Sequence, residues 1–280
     1  MARTDARNIY VDNSTLDKLA ETYGEVIEAV QKGAISEQIK NKNYSGDPKS
    51  GSVEIDRFKN ATVDDLGTAR TAGAGKGLKN TGKVTVNVDT DKEIVEELAK
   101  KDVRLYGLDG MAEKRKGNHT KRMIAYLDNQ FFAQAETAGT GVDLSSYSTI
   151  AEKLEALIQS VETTQNDWVD GVDRDLLVVT VKPSIYGAIL NYIDSVPNSL
   201  TGLKEDFFHK VRLFSNHRQT KDMICMIDGA IAQPVVTDQY DAEKIPLSND
   251  IALELFFSKG TKAVMPDLIK YSNNTVSGTV

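Results

Sequence analysis

The residues of this chain most suggestive of chemistry are Gly73, Gly75, Lys76 and Gly77, a glycine-rich run carrying a lysine, as phosphate-cradling loops do. Such a loop needs glycine at position 70 and serine or threonine at position 77, followed by a helix, so that successive backbone N–H groups point at the anion. Here those positions are Arg70 and Gly77, and the chain runs on into an alternating segment of strand type. A dinucleotide fingerprint fails as well, because Leu78 stands where its third glycine belongs. The glycines read instead as a flexible tip that packs closely against another chain.

Other candidate chemistry thins out in the same way. Asp89, Asp91 and Glu93 begin like a calcium loop, but Ile94 replaces the sharp-turn glycine and Lys100 the bidentate acid. These acids suit the positive end of a helix dipole, and the spacing of Ile94, Val95 and Leu98 predicts a short helix over 91–101. His119, His209 and His217 are scattered and lack the i, i+4 partner of a helical metal site, so they read as surface or structural histidines. Cys225, the single cysteine, lies in the apolar run 223–227 and reads as a small buried hydrophobe. No serine stands in a nucleophile elbow. These residues assign no cofactor, no metal and no enzymatic activity.

The elements around the tip are more informative than the tip itself. Residues 52–58 set Val53 and Ile55 against Glu54 and Asp56. Residues 83–88 set Val84, Val86 and Val88 against Lys83, Thr85 and Asn87, so the two form a hairpin with one apolar face. A lone two-stranded ribbon is marginal in water. The hairpin must therefore lie on something else, which points to assembly with neighbouring molecules ahead of catalysis. Residues 41–51, rich in Asn, Lys, Ser and Gly, read as an extended arm that orders only against neighbours.

Helical spacing is clear over 15–31 (Leu16, Leu19, Ile27, Val30) and along Met123, Ile124, Leu127, Phe131 and Ala135. Thr149 with Glu152 has capping-box spacing ahead of Ile150, Leu154, Leu157, Ile158 and Val161. The run Leu176, Leu177, Val178, Val179 and Val181 predicts a strand covered on both faces, and Pro183 starts the next helix. Asp228 and Gly229 predict a hairpin between 222–227 and 230–236, with Pro234 pushing the second strand to an edge. Residues 251–257 and 262–265 predict a last strand pair around Gly260, and the tail from Tyr271 reads as fraying.

Composition bounds the class. The chain has 280 residues, 40% hydrophobic and 27% charged, enough to bury a substantial core in one or two domains. A net charge of -7 disfavours a dedicated nucleic-acid binder. No apolar run reaches membrane-spanning length and the opening residues have no signal-peptide core, so the chain reads as cytosolic when made, without a membrane partner. Two basic clusters stand out. Lys114, Arg115, Lys116, Lys121 and Arg122 read mainly as a solvated helix face, whereas Arg70, Lys76, Lys79 and Lys83 form an acid-free tip that would land on an acidic patch of an adjacent subunit.

Taken in order, these pieces resemble the major capsid proteins of tailed bacteriophages with the Hong Kong 97-type fold. The order is a polar N-terminal arm, a two-stranded extended loop, a long spine helix, then a compact domain of helix, apolar strand and proline-started helix. Locally, residues 176–190 (LLVVTVKPSIYGAIL) look like that family's strand, proline turn and helix, and 229–236 (GAIAQPVV) is similar to its short strand, with Ala232 and Gln233 departing from the usual glycine.

The resemblance implies an α+β fold with residues 1–49 as N-terminal arm, 50–88 as extended β-hairpin loop and 89–137 as peripheral domain with the spine helix. Residues 138–246 would be the axial domain and 247–280 the return to the peripheral domain; the family usually closes with a longer peripheral strand region, and this sequence departs from it in that little ordered chain is expected after Met265. It further implies hexamers and pentamers closing into an icosahedral shell around double-stranded DNA, with a portal and a separate scaffolding protein or a removed scaffolding segment. Virion location follows from the same resemblance. Some relatives crosslink a loop lysine to a peripheral asparagine, and Lys76, Lys79, Asn273 and Asn274 are of those types. Three alternatives remain: an encapsulin-type nanocompartment shell, a tail or connector protein, and a small-molecule α/β enzyme built on 149–193.

Overall fold

Chain order and hydrophobic spacing build two units, seen in a computed structural model that describes residues 13–61, 65, 82–195, 207–208, 210–237, 241–245 and 250–273. In chain order the helices are α1 (Asn13–Gly33), α2 (Ile35–Ile39), α3 (Lys100–Ala138), α4 (Ile150–Glu162) and α5 (Pro183–Ser195). The strands are β1 (Ser52–Ile55), β2 (Val84–Asn87), β3 (Thr90–Leu98), β4 (Thr140–Gly141), β5 (Leu177–Val181), β6 (Phe207–Phe208), β7 (Val211–Ser215) and β8 (Met223–Ile227). They continue with β9 (Ile231–Ala232), β10 (Val235–Thr237), β11 (Asp241–Lys244), β12 (Ile251–Lys259), β13 (Lys262–Ala263) and β14 (Ile269–Ser272). The first unit comprises 1–38, 87–128 and 234–260; the second comprises 39–86, 129–233 and 261–280.

In the first unit, β12 is paired along its whole length with β3 on one side and with β10 and β11 on the other. Leu253, Leu255 and Phe257 alternate onto one face, where Leu19, Val26 and Val30 of α1 and Met123 and Leu127 of α3 close the core. Residues 90–98 are thus a strand and not the helix that the apolar spacing predicts. The period of two is real, with Ile94, Glu96 and Leu98 turned inward, but Glu96 hides it because a carboxylate occupies a core-side position.

Helix α3 begins at Lys100, well before the stripe that announces it. It is broken at Gly107, whose φ of 75° and ψ of 162° are not helical. A Cβ there would meet Asp109 Oδ1 at 2.5 Å, so the break is reserved for glycine. The earlier turns escape periodicity analysis because the stripe passes through His119, a polar residue with a fully enclosed side chain. Asp128 is a second case: it is fully buried, and its carboxylate accepts the Ser36 amide at 3.0 Å.

The second unit holds a sheet in the order β4-β14-β8-β5-β7-β6. Every residue of β5 is buried, as a continuous apolar run requires, and α4 and α5 contribute Leu154, Leu157, Ile158, Val161, Ile185 and Ile189 to that core. The capping box forms as spaced, with Glu152 N donating to Thr149 Oγ1 at 3.2 Å and Thr149 N donating to Glu152 Oε2 at 3.1 Å.

Three expectations about the C-terminal third are corrected. The Asp228–Gly229 turn forms, but β8 pairs with β5 and β14, while β9 leaves to pair with β13, so no hairpin results. Strands β12 and β13 do not pair with each other. Ordered chain continues past Met265, because β14 fills the sheet position between β4 and β8 and takes in Tyr271 and Ser272. In each case the sequence marks the turn, but long-range pairing chooses the partner.

Candidate inter-subunit surface

Site building begins at the base of the extended hairpin. Strands β1 and β2 pair as the alternation predicts, and Val53, Ile55 and Val86 are buried. What covers them is their own chain: Ala232 and Val264, with Tyr44 and Met265 at the margin. The expectation that the hairpin's apolar face waits for a neighbour is therefore corrected for its base. The arm at 41–51 is corrected likewise. Asn41 N donates to the Ile231 carbonyl at 2.7 Å and Asn41 Nδ2 to the Gly229 carbonyl at 3.0 Å, while Ser45 exchanges backbone hydrogen bonds with Glu54 at 2.9 Å. Asp47 caps a short 3-10 turn, 48–50, through its side chain. These ties saturate the polar backbone locally, which composition alone does not reveal.

Beyond the base, the outgoing limb of the loop is fastened to Asp267 and to the connection between α4 and β5, and the returning limb passes close by it. Arg57 Nη2 donates to both carboxylate oxygens of Asp267 at 2.7 and 2.6 Å, and Asn166 Nδ2 adds a third bond to Asp267 at 2.8 Å. The Arg57 guanidinium and Asn166 amide hold the Asp267 carboxyl below its ordinary range, against the opposing effect of burial. Trp168, the only tryptophan, lies under Arg57 at 5.1 Å and Lys59 at 5.4 Å from its ring centroid. Lys59 also reaches Asp167 at 2.6 Å, and Asn60 N donates to the Asp167 carbonyl at 2.9 Å. On the returning limb, a Cβ at Gly82 would stand 2.8 Å from the Trp168 ring, so only glycine lets the chain pass. The root of the loop is clamped before its tip begins.

Of the predicted contact residues, Arg70, Lys76 and Lys79 lie outside the described residues. Lys83 is described and pairs with Glu54 across the hairpin, which raises its pKa chiefly through that hydrogen bond. Lys83 is thereby a strut of the root. Among the crosslink types, Lys76, Lys79 and Asn274 lie outside the described residues too.

Two members of the second basic cluster, Arg115 and Lys116, are ion-paired within the first unit. Arg115 and His119 both meet Glu96, His119 Nε2 at 3.2 Å and Arg115 Nε at 2.6 Å, and Lys116 reaches Glu25 at 2.6 Å and also pairs with Glu113. Arg115 first, then His119, lowers the Glu96 pKa, while burial lowers that of His119 below its ordinary 6.5 despite the nearby carboxylate. His217 is exposed, and His209 lies outside the described residues. Cys225 is fully buried, and burial pushes its thiol pKa far up.

Within 149–193, the segment given above as the base of an enzyme alternative, the loop after Val181 does gather an acid: Lys182 Nζ meets Asp222 Oδ1 at 2.8 Å. Gln219 Nε2 donates to the carbonyls of Thr180, Lys221 and Asp222 at 3.2, 2.9 and 3.2 Å, so this group laces strand ends together. Among the described residues, no group of three His, Cys, Asp or Glu is placed to hold a metal ion, and no helix is long and apolar enough to cross a membrane.

No family model matches the sequence, and neither does any curated protein. Solved structures do match. One from Mycobacterium phage Che8 is 15% identical with a TM-score of 0.58, over 82% of this chain and 86% of that one. The capsid of Cyanophage P-SCSP1u is 10% identical with a TM-score of 0.58, over 83% and 85%. A virus-like particle from Pyrococcus furiosus is 12% identical with a TM-score of 0.60, over 92% and 98%. This chain therefore has the α+β Hong Kong 97-type fold shared with these structures. At such identities the likeness is one of architecture.

Proposed function

We propose that this chain is a major capsid protein: a structural, non-enzymatic subunit that forms hexamers and pentamers and closes an icosahedral shell around the double-stranded DNA of a tailed phage. The observation that carries this reading is the extent of the fold match, because structures titled as capsids align with more than four-fifths of the chain. The tip of the loop adds a physical reason. By sequence, residues 67–82 have little to bury, and such a segment gains stability only against another molecule.

In this reading residues 1–49 serve as N-terminal arm, 50–88 as extended loop, 89–137 and 247–280 as peripheral domain, and 138–246 as axial domain. A scaffolding protein and a portal assist assembly, the chain is made in the host cytoplasm, and the mature location is the virion. Confined DNA is held without sequence-specific contact, in keeping with the net charge of -7.

A nanocompartment shell is the second reading, favoured by the Pyrococcus furiosus virus-like particle, which matches over more of both chains than the phage structures quoted. Negative-stain electron microscopy of purified protein across concentration and salt tests both readings. Closed shells, or rings that convert to shells, are expected; a single ring or tube, or a compact monomer with an ordered hairpin, overturns them. Nucleic acid against enzyme cargo inside the particles separates phage shell from nanocompartment.

A further inference from the structure

The first unit carries a groove of about 380 Å³ between β3 and the middle of α3, within the roughly 300–1,000 Å³ of small-molecule sites. Lys92 and Ile94 line it from β3, Arg122, Met123 and Tyr126 from α3, and Phe257 from β12. The register explains the gathering. Lys92 stands directly opposite Phe257, and so on the core-facing side of the sheet, while Arg122 and Tyr126 are one turn apart on α3. Glu93 also borders the groove, but it stands opposite Phe256 and belongs to the other face.

Two ammonium groups share one ring here. Lys92 Nζ lies 5.9 Å and Lys259 Nζ 5.5 Å from the Tyr126 centroid, and Lys259 is only 4% exposed. Burial first, and Lys92 second, hold the Lys259 ammonium below its ordinary pKa, against the opposing pull of Asp89. Lys92 and Arg122 are exposed, and neither has an acidic partner among the described residues. The Tyr126 hydroxyl has no hydrogen-bond partner among them either, although its ring is half-buried and set edge-on to Phe257 at 5.8 Å. A single anion would answer all of these groups together.

The groups also select the anion. Two lysines, a guanidinium and a phenol offer more charge and more donors than one carboxylate can use, and they match a phosphate, whose charge is spread over several oxygens. Beside them Ile94, Met123 and the Tyr126–Phe257 pair form an apolar wall that inorganic phosphate leaves uncovered. We propose that this groove binds a phosphate ester with a flat organic part, a nucleotide, either free or as one unit of a strand. Lys92 and Arg122 take the phosphate from the two walls, the Tyr126 hydroxyl donates to it, and Lys259 adds charge from the core side. The base lies along Ile94 and Met123. This site is independent of shell formation.

Calorimetric titration of the full chain with AMP, inorganic phosphate and a short single-stranded oligothymidylate tests the site. AMP is expected to bind at least about tenfold more tightly than inorganic phosphate, and K92A/R122A to weaken AMP by at least about tenfold. Both side chains are exposed, so the fold is retained, which circular dichroism checks. Y126F keeps the ring, removes only the hydroxyl, and is expected to weaken AMP about three- to tenfold. Oligothymidylate that binds more tightly than AMP and is displaced by it supports the site with a strand as its source; oligothymidylate no tighter than AMP supports it with the free nucleotide. Inorganic phosphate as tight as AMP overturns the nucleotide, and a hexaglutamate peptide as tight as AMP overturns the phosphate in favour of an acidic peptide. No AMP binding, or binding that K92A/R122A leaves unchanged, overturns the groove as a site and leaves the capsid reading untouched.

Discussion

The two main sheets of this molecule follow opposite plans. The sheet β4-β14-β8-β5-β7-β6 has a central strand buried at every position and apolar helices against it, so its stability is complete within one chain. The sheet around β12 buries one face under α1 and α3 and leaves the other to carboxylates, with Val95 exposed among them. The first is covered on both faces and the second on one. Sheets with one wet face are ordinary, and the charge on that face costs little while water solvates it.

The sharpest way to break that contrast is to place the same charge on both sheets. Val179→Asp buries an unpaired carboxylate in β5 and is expected to cost more than about 4 kcal/mol, giving no folded soluble protein by circular dichroism. The matching Val95→Asp change sets a solvated carboxylate directly opposite Glu254 and is expected to cost only about 0.5–1 kcal/mol. Leu157→Ala, which opens a cavity between α4 and the sheet, is expected to cost about 2–5 kcal/mol and to lower Tm clearly by calorimetry.

Trp168→Ala removes the ring beneath Arg57 and Lys59 and beside Gly82. Each lost cation–π contact is worth about 0.5–1 kcal/mol, so global stability changes little, but tryptic cleavage at Lys59 accelerates; an unchanged rate would show that the root is held elsewhere.

His119 supplies a pH test of the first unit. Its folded pKa lies below the unfolded 6.5, so the unfolded chain binds the proton first, and stability falls as pH drops below about 6.5. Glu96, whose folded pKa is depressed, adds loss at lower pH in the same direction. His119→Gln is expected to flatten the slope of stability between about pH 7 and pH 5 in denaturant titrations, leaving only the carboxylate part. The smallest effect expected is that of Glu97→Gln, within about 0.5 kcal/mol in the monomer, because its side chain is exposed. A large monomer effect there would mean that the face is not free.

What the sequence determined by itself was the set of segments whose neighbours in sequence decide their state. The capping box at Thr149 and Glu152, the apolar strand before Pro183 and the alternating limbs of the hairpin all appear where their periodicity places them. So does the order of elements that resembles the Hong Kong 97-type fold. Tertiary structure decided the rest. Residues 90–98 became a strand because nine residues of β12 offered a full ladder, and the segment after Asp228–Gly229 left its expected partner for β13. His119 and Asp128 went inside because Glu96 and the Ser36 amide were there to meet them. The 41–51 arm and the hairpin base found cover within their own chain. Local spacing fixes which face of an element is apolar, but pairing partners hundreds of atoms away fix which elements meet, and a buried polar residue is legible only once its partner is in place.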